Sequence, residues 1–129
     1  MNIRIILGLV VAVCVLLCLS VSACSKKPAF VSVDADTFAL EIVKDHVQLL
    51  DVRTAEEFAQ GRIPSAINMD VNAENFDEMI KSLDKNKTVA LYCRSGRRSK
   101  IAAEKVAKAG YRVIELNEGI LSWKGDIER

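Results

Sequence analysis

Thr88-Val89-Ala90-Leu91-Tyr92-Cys93-Arg94-Ser95-Gly96-Arg97-Arg98-Ser99 is the stretch on which the reading of this chain turns. Its first five residues are β-prone and almost wholly apolar, as a strand covered on both faces of a parallel sheet must be. The strand runs straight into Cys93 and a basic loop. Beyond the loop, Ile101, Ala102, Ala103, Val106 and Ala107 form the apolar side of a helix, with Lys100, Glu104 and Lys108 at i, i+4 spacing on its polar side and Gly110 to end it. This order places Cys93 at the carboxyl end of a strand and beside a helix N-terminus. Sheets of this kind bind ligands there, and unpaired N–H groups and a partial positive charge collect at the same place.

Working outward, helical and strand signals alternate without a repeat or a long linker, which predicts a single α/β domain with a mainly parallel central sheet flanked by helices. Residues 37–43 read as a short helix capped by Asp34 or Asp36. Residues 46–52 read as a buried strand, and Thr54 with Glu57 as a capping box opening a helix that Gly61 stops. Residues 66–69 are a short strand. Phe76, Met79, Ile80 and Leu83 make the stripe of an amphipathic helix, broken by residues 84–87. Residues 111–116 form another strand and 119–124 a short closing helix, whose Trp123 is assigned to the core. His46 falls in no motif and is read as a surface residue.

The N-terminus reads as a targeting segment. One basic residue, Arg4, precedes an apolar run over residues 5–19, and Ser20-Val21-Ser22-Ala23 gives the small residues of a cleavage site. The alternative is an uncleaved transmembrane anchor, since about 20 residues suffice to cross the hydrocarbon. Val21-Ser22-Ala23-Cys24 resembles the lipobox of bacterial lipoproteins, which implies cleavage before Cys24, a lipid on its thiol, and a protein held at the cell envelope facing the periplasm or the exterior. The expected divisions are a leader at 1–23, a lipidated tether at 24–30 and one domain at 31–129.

Removing residues 1–23 from the 129 leaves 106, enough for one core. It also removes only Arg4 of the 18 basic residues, leaving 17 basic against 17 acidic side chains. Such a balance offers nothing to nucleic acid, so membrane association is expected through the lipid alone. Of the four cysteines, Cys14 and Cys18 leave with the leader and Cys24 is consumed. Cys93 remains as the lone thiol in an oxidising compartment, where it is either inert or kept for its reactivity.

The loop favours reactivity. Helix N-termini and nearby cations lower a thiol pKa from about 8.5 to about 3.5–7.5. Arg94, Arg97 and Arg98 lie within five residues of Cys93, while Gly96 lets successive amides curl toward an anion. Three arginines at a helix N-terminus oppose its dipole, a cost that an anion bound there removes. On this reading the loop faces solvent.

The chain resembles the rhodanese family over nearly all of residues 31–129. Asp51-Val52-Arg53 with Glu56-Glu57-Phe58 is similar to that family's first signature, and Gly61-Arg62-Ile63-Pro64-Ser65-Ala66-Ile67-Asn68 to its second. The loop from Cys93 to Ser99 is similar to the third, and residues 116–123 to the terminal one. Arg62 stands where histidine is commoner, Ser65 where glycine is usual, and Glu118 at the first glycine of a pair; all three fall in scaffold turns.

The resemblance implies a ping-pong sulfurtransferase. Cys93 takes the outer sulfur of thiosulfate or a similar anionic donor as a persulfide and yields it to cyanide or a thiol, with no metal or cofactor. Arg94, Ser95, Gly96, Arg97, Arg98 and Ser99 would bind the donor, Asp51 and Arg53 would support the loop as an ion pair, and the protein would act as a monomer. Two alternatives differ in class. A phosphatase or arsenate reductase cradle has five residues between cysteine and arginine, against four between Cys93 and Arg98. A sulfur carrier or redox-sensing module shares the same loop, although inactive relatives usually lack the cysteine.

Overall fold

The computed structural model describes residues 3–6, 8 and 27–129. The expected cleavage site and Cys24 lie outside those residues, as does most of the leader. Among the described residues no helix is long and apolar enough to cross a membrane.

Five strands make one sheet: β1 (Val31–Val33), β2 (Val47–Asp51), β3 (Ile67–Asn68), β4 (Thr88–Tyr92) and β5 (Val113–Leu116). They are arranged in the order β1-β5-β4-β2-β3. Every pairing is parallel, so the expected mainly parallel sheet is wholly so among its named strands. Because parallel neighbours need crossovers, the strands alternate with helices α1 (Ala35–Glu41), α2 (Ala55–Gln60), α3 (Phe76–Met79) and α4 (Arg97–Lys108).

The two-residue period of β4 shows why its sequence is apolar throughout. Val89, Leu91 and Cys93 face one layer with Ala102, Ala103 and Val106 of α4 and Phe76 of α3. Ala90 and Tyr92 face the other, with Phe38 of α1, Leu49, Ile63 and Leu116. Fully burying a side chain of the Leu, Val or Phe class contributes about 1.5–3 kcal/mol, and both layers are made of such residues. Cys93 belongs to the α4 layer.

Local signals explain most element boundaries. Asp34 caps α1, its carboxylate accepting from the Thr37 amide at 2.8 Å. Thr54 caps α2, accepting from the Glu57 amide at 3.2 Å. The stripe from Phe76 to Leu83 is buried as expected but is not one α-helix: after Met79 the chain tightens into a 3-10 turn, Ile80–Ser82. Its terminal carbonyls find a partner across the fold, for the Tyr111 hydroxyl donates to Ile80 O at 2.8 Å and lies 3.1 Å from Leu83 O.

The expected closing helix is likewise a 3-10 turn, Ile120–Ser122. Trp123 packs edge-on against Phe38, with ring centroids 6.3 Å apart. His46 is exposed.

The unusual second-signature residues have physical explanations. Ser65 adopts φ +71°, a left-handed conformation that glycine would take without strain. Arg62 lies over the Phe58 ring at 4.5 Å and pairs with Glu128 at 3.6 Å, beside an antiparallel bridge between the same two residues that fastens the C-terminal tail.

Candidate active site

At the carboxyl end of β4 the chain leaves the sheet at Cys93, turns through residues 94–96 and enters α4. Gly96 makes the turn with φ +98°. A Cβ there would overlap the carbonyl of Asn117, so both the backbone angle and the close approach require glycine. The turn points the Gly96 amide back at the cysteine, 3.1 Å from Sγ.

The 3-10 turn Ile120–Ser122 holds the loop from the other side. Ile120 N–H donates to Cys93 O at 2.9 Å and Leu121 N–H to Arg94 O at 3.2 Å. Gly119 packs so tightly on the Arg94 backbone that a Cβ would overlap it. The turn that carries Glu118 therefore abuts the thiol loop, although Glu118 itself is exposed.

The loop faces solvent through Arg94, Ser95 and Arg97 as expected, but Cys93 itself is only 1% exposed. Its side chain points inward between the loop and the α4 layer. Burial pushes its thiol up, but the Ser99 hydroxyl and the amides of Ser99, Gly96 and Ser95 outweigh that, and the thiol ionises below its ordinary value. The sequence reading gave this effect to arginines, a helix end and inward-curling loop amides. The groups that lower the thiol here are Ser99 in the first turn of α4 and the amides of Gly96 and Ser95.

The three arginines occupy different environments. Arg94 and Arg97 are exposed at the loop mouth. Arg98 is half-buried and gripped by Glu57 of α2 in a bidentate pair, Nη1–Oε1 2.8 Å and Nη2–Oε2 2.9 Å. The pair holds Glu57 below the usual carboxylate range and raises the Arg98 guanidinium, which also feels the charge of Cys93. Beside this pair lies a small cavity of about 250 Å³, lined by Arg53, Glu57, Arg94, Ile120, Leu121 and Ile127.

Asp51 and Arg53 form a buried ion pair with several contacts. Arg53 Nη2 lies 2.6 Å and Nε 3.1 Å from Asp51 Oδ2, and both Nε and the Arg53 amide lie 3.0 Å from Oδ1. Burial works against the Arg53 charge, yet the Asp51 carboxylate more than offsets it and the guanidinium is raised. Arg53 also donates to Gly61 O at 2.7 Å and lies 5.6 Å from the Tyr92 ring centroid. The pair thus ties the end of β2 to the turn after α2, next to the strand that delivers Cys93.

Sequence reasoning missed three residues of this site. Glu57 was read as a capping-box partner and as part of the first signature, with no contact to the thiol loop. Lys100, read as part of a solvated helix face, instead reaches Gly96 O at 3.1 Å and Asn117 O at 3.0 Å. Glu115, fully buried in β5, accepts from Ser99 Oγ at 2.6 Å. A lone acid in the otherwise apolar Val113-Ile114-Glu115-Leu116 was the one available signal for it.

This parallel α/β domain ends a central strand in a buried cysteine and turns the chain back so that a loop amide meets the sulfur at the carboxyl edge of the sheet. The model of the rhodanese-like domain matches residues 34–126, and the chain belongs to that family. A sulfurtransferase of Allochromatium vinosum is 38% identical over 80 residues, spanning 61% of this chain and 73% of its own. Among solved structures, the BH2092 protein of Bacillus halodurans is 31% identical, with a TM-score of 0.68 and 76% of each chain covered. A rhodanese-related protein of Thermoplasma volcanium is 27% identical, with a TM-score of 0.69 over 77% of this chain and 98% of its own.

Proposed function

We propose that this protein is a turnover sulfurtransferase that takes sulfane sulfur from a small anionic donor such as thiosulfate and holds it on Cys93. The observation that carries this reading is the single sulfur facing the Gly96 amide at 3.1 Å, with its thiol held below its ordinary value by the loop. The Cys93 thiolate attacks the outer sulfur of thiosulfate. An S–S bond forms to Sγ, the S–S bond of the donor breaks, and its electron pair leaves with sulfite. Cyanide or a thiolate acceptor then attacks the outer sulfur of the persulfide, and Cys93 departs as the thiolate with which it began. Both half-reactions develop negative charge at the loop, where amides and the exposed Arg94 and Arg97 stabilise it.

The lipid anchor belongs to the same reading. Val21-Ser22-Ala23-Cys24 ends an apolar run, and the folded domain begins at Val31. A tether of residues 24–30, fully extended, spans at most roughly 25 Å. The domain would be held within that distance of the membrane surface, attached through the start of β1 and not through the carboxyl edge of the sheet where Cys93 lies.

One measurement tests both parts. Intact mass of the native protein should show residues 1–23 absent and an acylated Cys24. After exposure to thiosulfate it should show one added sulfur atom, which cyanide removes. A retained Met1 would overturn the anchor, and an unchanged mass after thiosulfate would overturn the donor.

A further inference from the structure

Glu115 is 0% exposed, and its burial is not explained by stability. An ionised carboxylate taken out of water costs several kcal/mol unless it is well partnered. Ser32 Oγ of β1 donates to Oε1 at 2.7 Å and Ser99 Oγ to Oε2 at 2.6 Å. Among the described residues the one cation on it, Lys100, stands 3.2 Å from Oε1 and 3.3 Å from Oε2 and is itself partly solvated. On its other side Ser99, also 0% exposed, lies 3.4 Å from Cys93 Sγ. A continuous line therefore runs from the reactive sulfur through one hydroxyl to a buried acid.

That hydroxyl has one proton and two claimants. A carboxylate can only accept, and 2.6 Å lies in the range of a charge-assisted O–H···O⁻ bond, so in this arrangement the proton lies toward Glu115. Cys93 then meets Ser99 as a donor, its S–H pointing at Oγ, which suits the thiol and not the thiolate. Once the sulfur is an anion, Ser99 must turn its proton to Sγ, leaving Glu115 to Ser32 and Lys100.

We propose that Glu115 is a positioning residue that acts through Ser99, competing with the Cys93 sulfur for a single hydroxyl proton and so limiting how readily Cys93 becomes an anion. The inference rests on Cys93 being the reactive thiol of the function proposed above. Its chemical sense is that thiol nucleophilicity falls as the thiolate is stabilised, and the best attacking thiol ionises near the working pH. A loop that stabilises sulfur anions too well would disarm the first half-reaction, and Glu115 opposes it. The other charges around Cys93 are paired or face solvent: Arg98 with Glu57 of α2, Arg53 with Asp51 at the end of β2, Arg94 and Arg97 exposed, and Asp70 half-buried near Arg98. Among them, only the Glu115–Lys100 pair is joined to the sulfur by a hydrogen-bonded hydroxyl.

The test is the rate of iodoacetamide alkylation at Cys93 against pH in the full chain, followed on the Cys93 peptide by mass spectrometry. Glu115→Gln frees the Ser99 proton and removes a buried charge, so its midpoint should fall by about one pH unit. Ser99→Ala should raise the midpoint, and in that background Glu115→Gln should shift it much less. Lys100→Met, which leaves the carboxylate without its cation, should raise it. An unchanged or higher midpoint in Glu115→Gln overturns the proposal, as does an equal shift with and without Ser99, since that would be charge acting directly through space. If Glu115→Gln shows no cooperative unfolding, Lys100→Met takes its place, and a rise of equal size in both backgrounds is the overturning result. Alkylation titrates Cys93 whether or not sulfur moves. The predicted shifts without any sulfur uptake from thiosulfate would defeat the function proposed above and leave the competition for the Ser99 proton standing.

Discussion

Cys93→Ser is expected to abolish thiosulfate-to-cyanide turnover and the thiosulfate-dependent gain in mass while leaving the fold in place. The loss should be complete because an alcohol does not ionise near neutral pH and offers no sulfur on which to build a persulfide. The fold should survive for a reason the buried position makes specific. Serine is close in volume, its oxygen can accept from the Gly96 amide that now faces Sγ at 3.1 Å, and its proton can go to Ser99 Oγ. With both partners kept, the destabilisation should stay near or below about 1 kcal/mol. Far-UV circular dichroism and urea unfolding read the fold, and steady-state thiocyanate formation reads the activity. Turnover retained in the variant would remove Cys93 from the chemistry altogether.

How much of this was legible in the sequence depended on whether the partner of each residue was local. The β4 segment could be read because a strand covered on both faces has no polar side, and Asp34 and Thr54 because a cap is settled within four residues. β1 has no such signal. It is three residues at a sheet edge, with Val31 half exposed, and its pairing to residues 114–116 of β5 is invisible to any window. The loop residues were identifiable from their order alone.

Their division of labour was not. Glu57 and Arg98 are 41 positions apart, and Ser99 and Glu115 are 16 apart, so their pairing exists only once α2, α4 and β5 are assembled. Local patterns also misdirected the reading. The capping box gave Glu57 a sufficient role, and the i, i+4 spacing gave Lys100 one. The burial of Cys93 was missed because a run of arginines marks the loop as solvated, whereas strand alternation places the side chain of Cys93 with those of Val89 and Leu91.

Arg53→Met is expected to have the largest effect on stability of any substitution considered. It removes the cation from a pair whose two partners are almost completely shielded from water, and Asp51, at 0% exposure, is left as an uncompensated buried charge. Breaking such a pair from one side costs about 3–5 kcal/mol, out of a total on the order of 5–15 kcal/mol for a domain of this size. The carbonyl of Gly61 loses a donor as well, which loosens the turn after α2. The Asp51→Asn, Arg53→Met double variant separates the charge from the packing. With the carboxylate neutralised, the methionine stem still covers the Tyr92 ring, the carbonyls of Asp51 and Arg53 keep their Asn68 donor, and most of the lost stability should return. Urea denaturation of the wild type and the two variants is the measurement. A single variant within 1 kcal/mol of wild type by that measure, on the scale set for buried pairs, would mean that water reaches Asp51 and that the pair is not what joins β2 to the turn after α2.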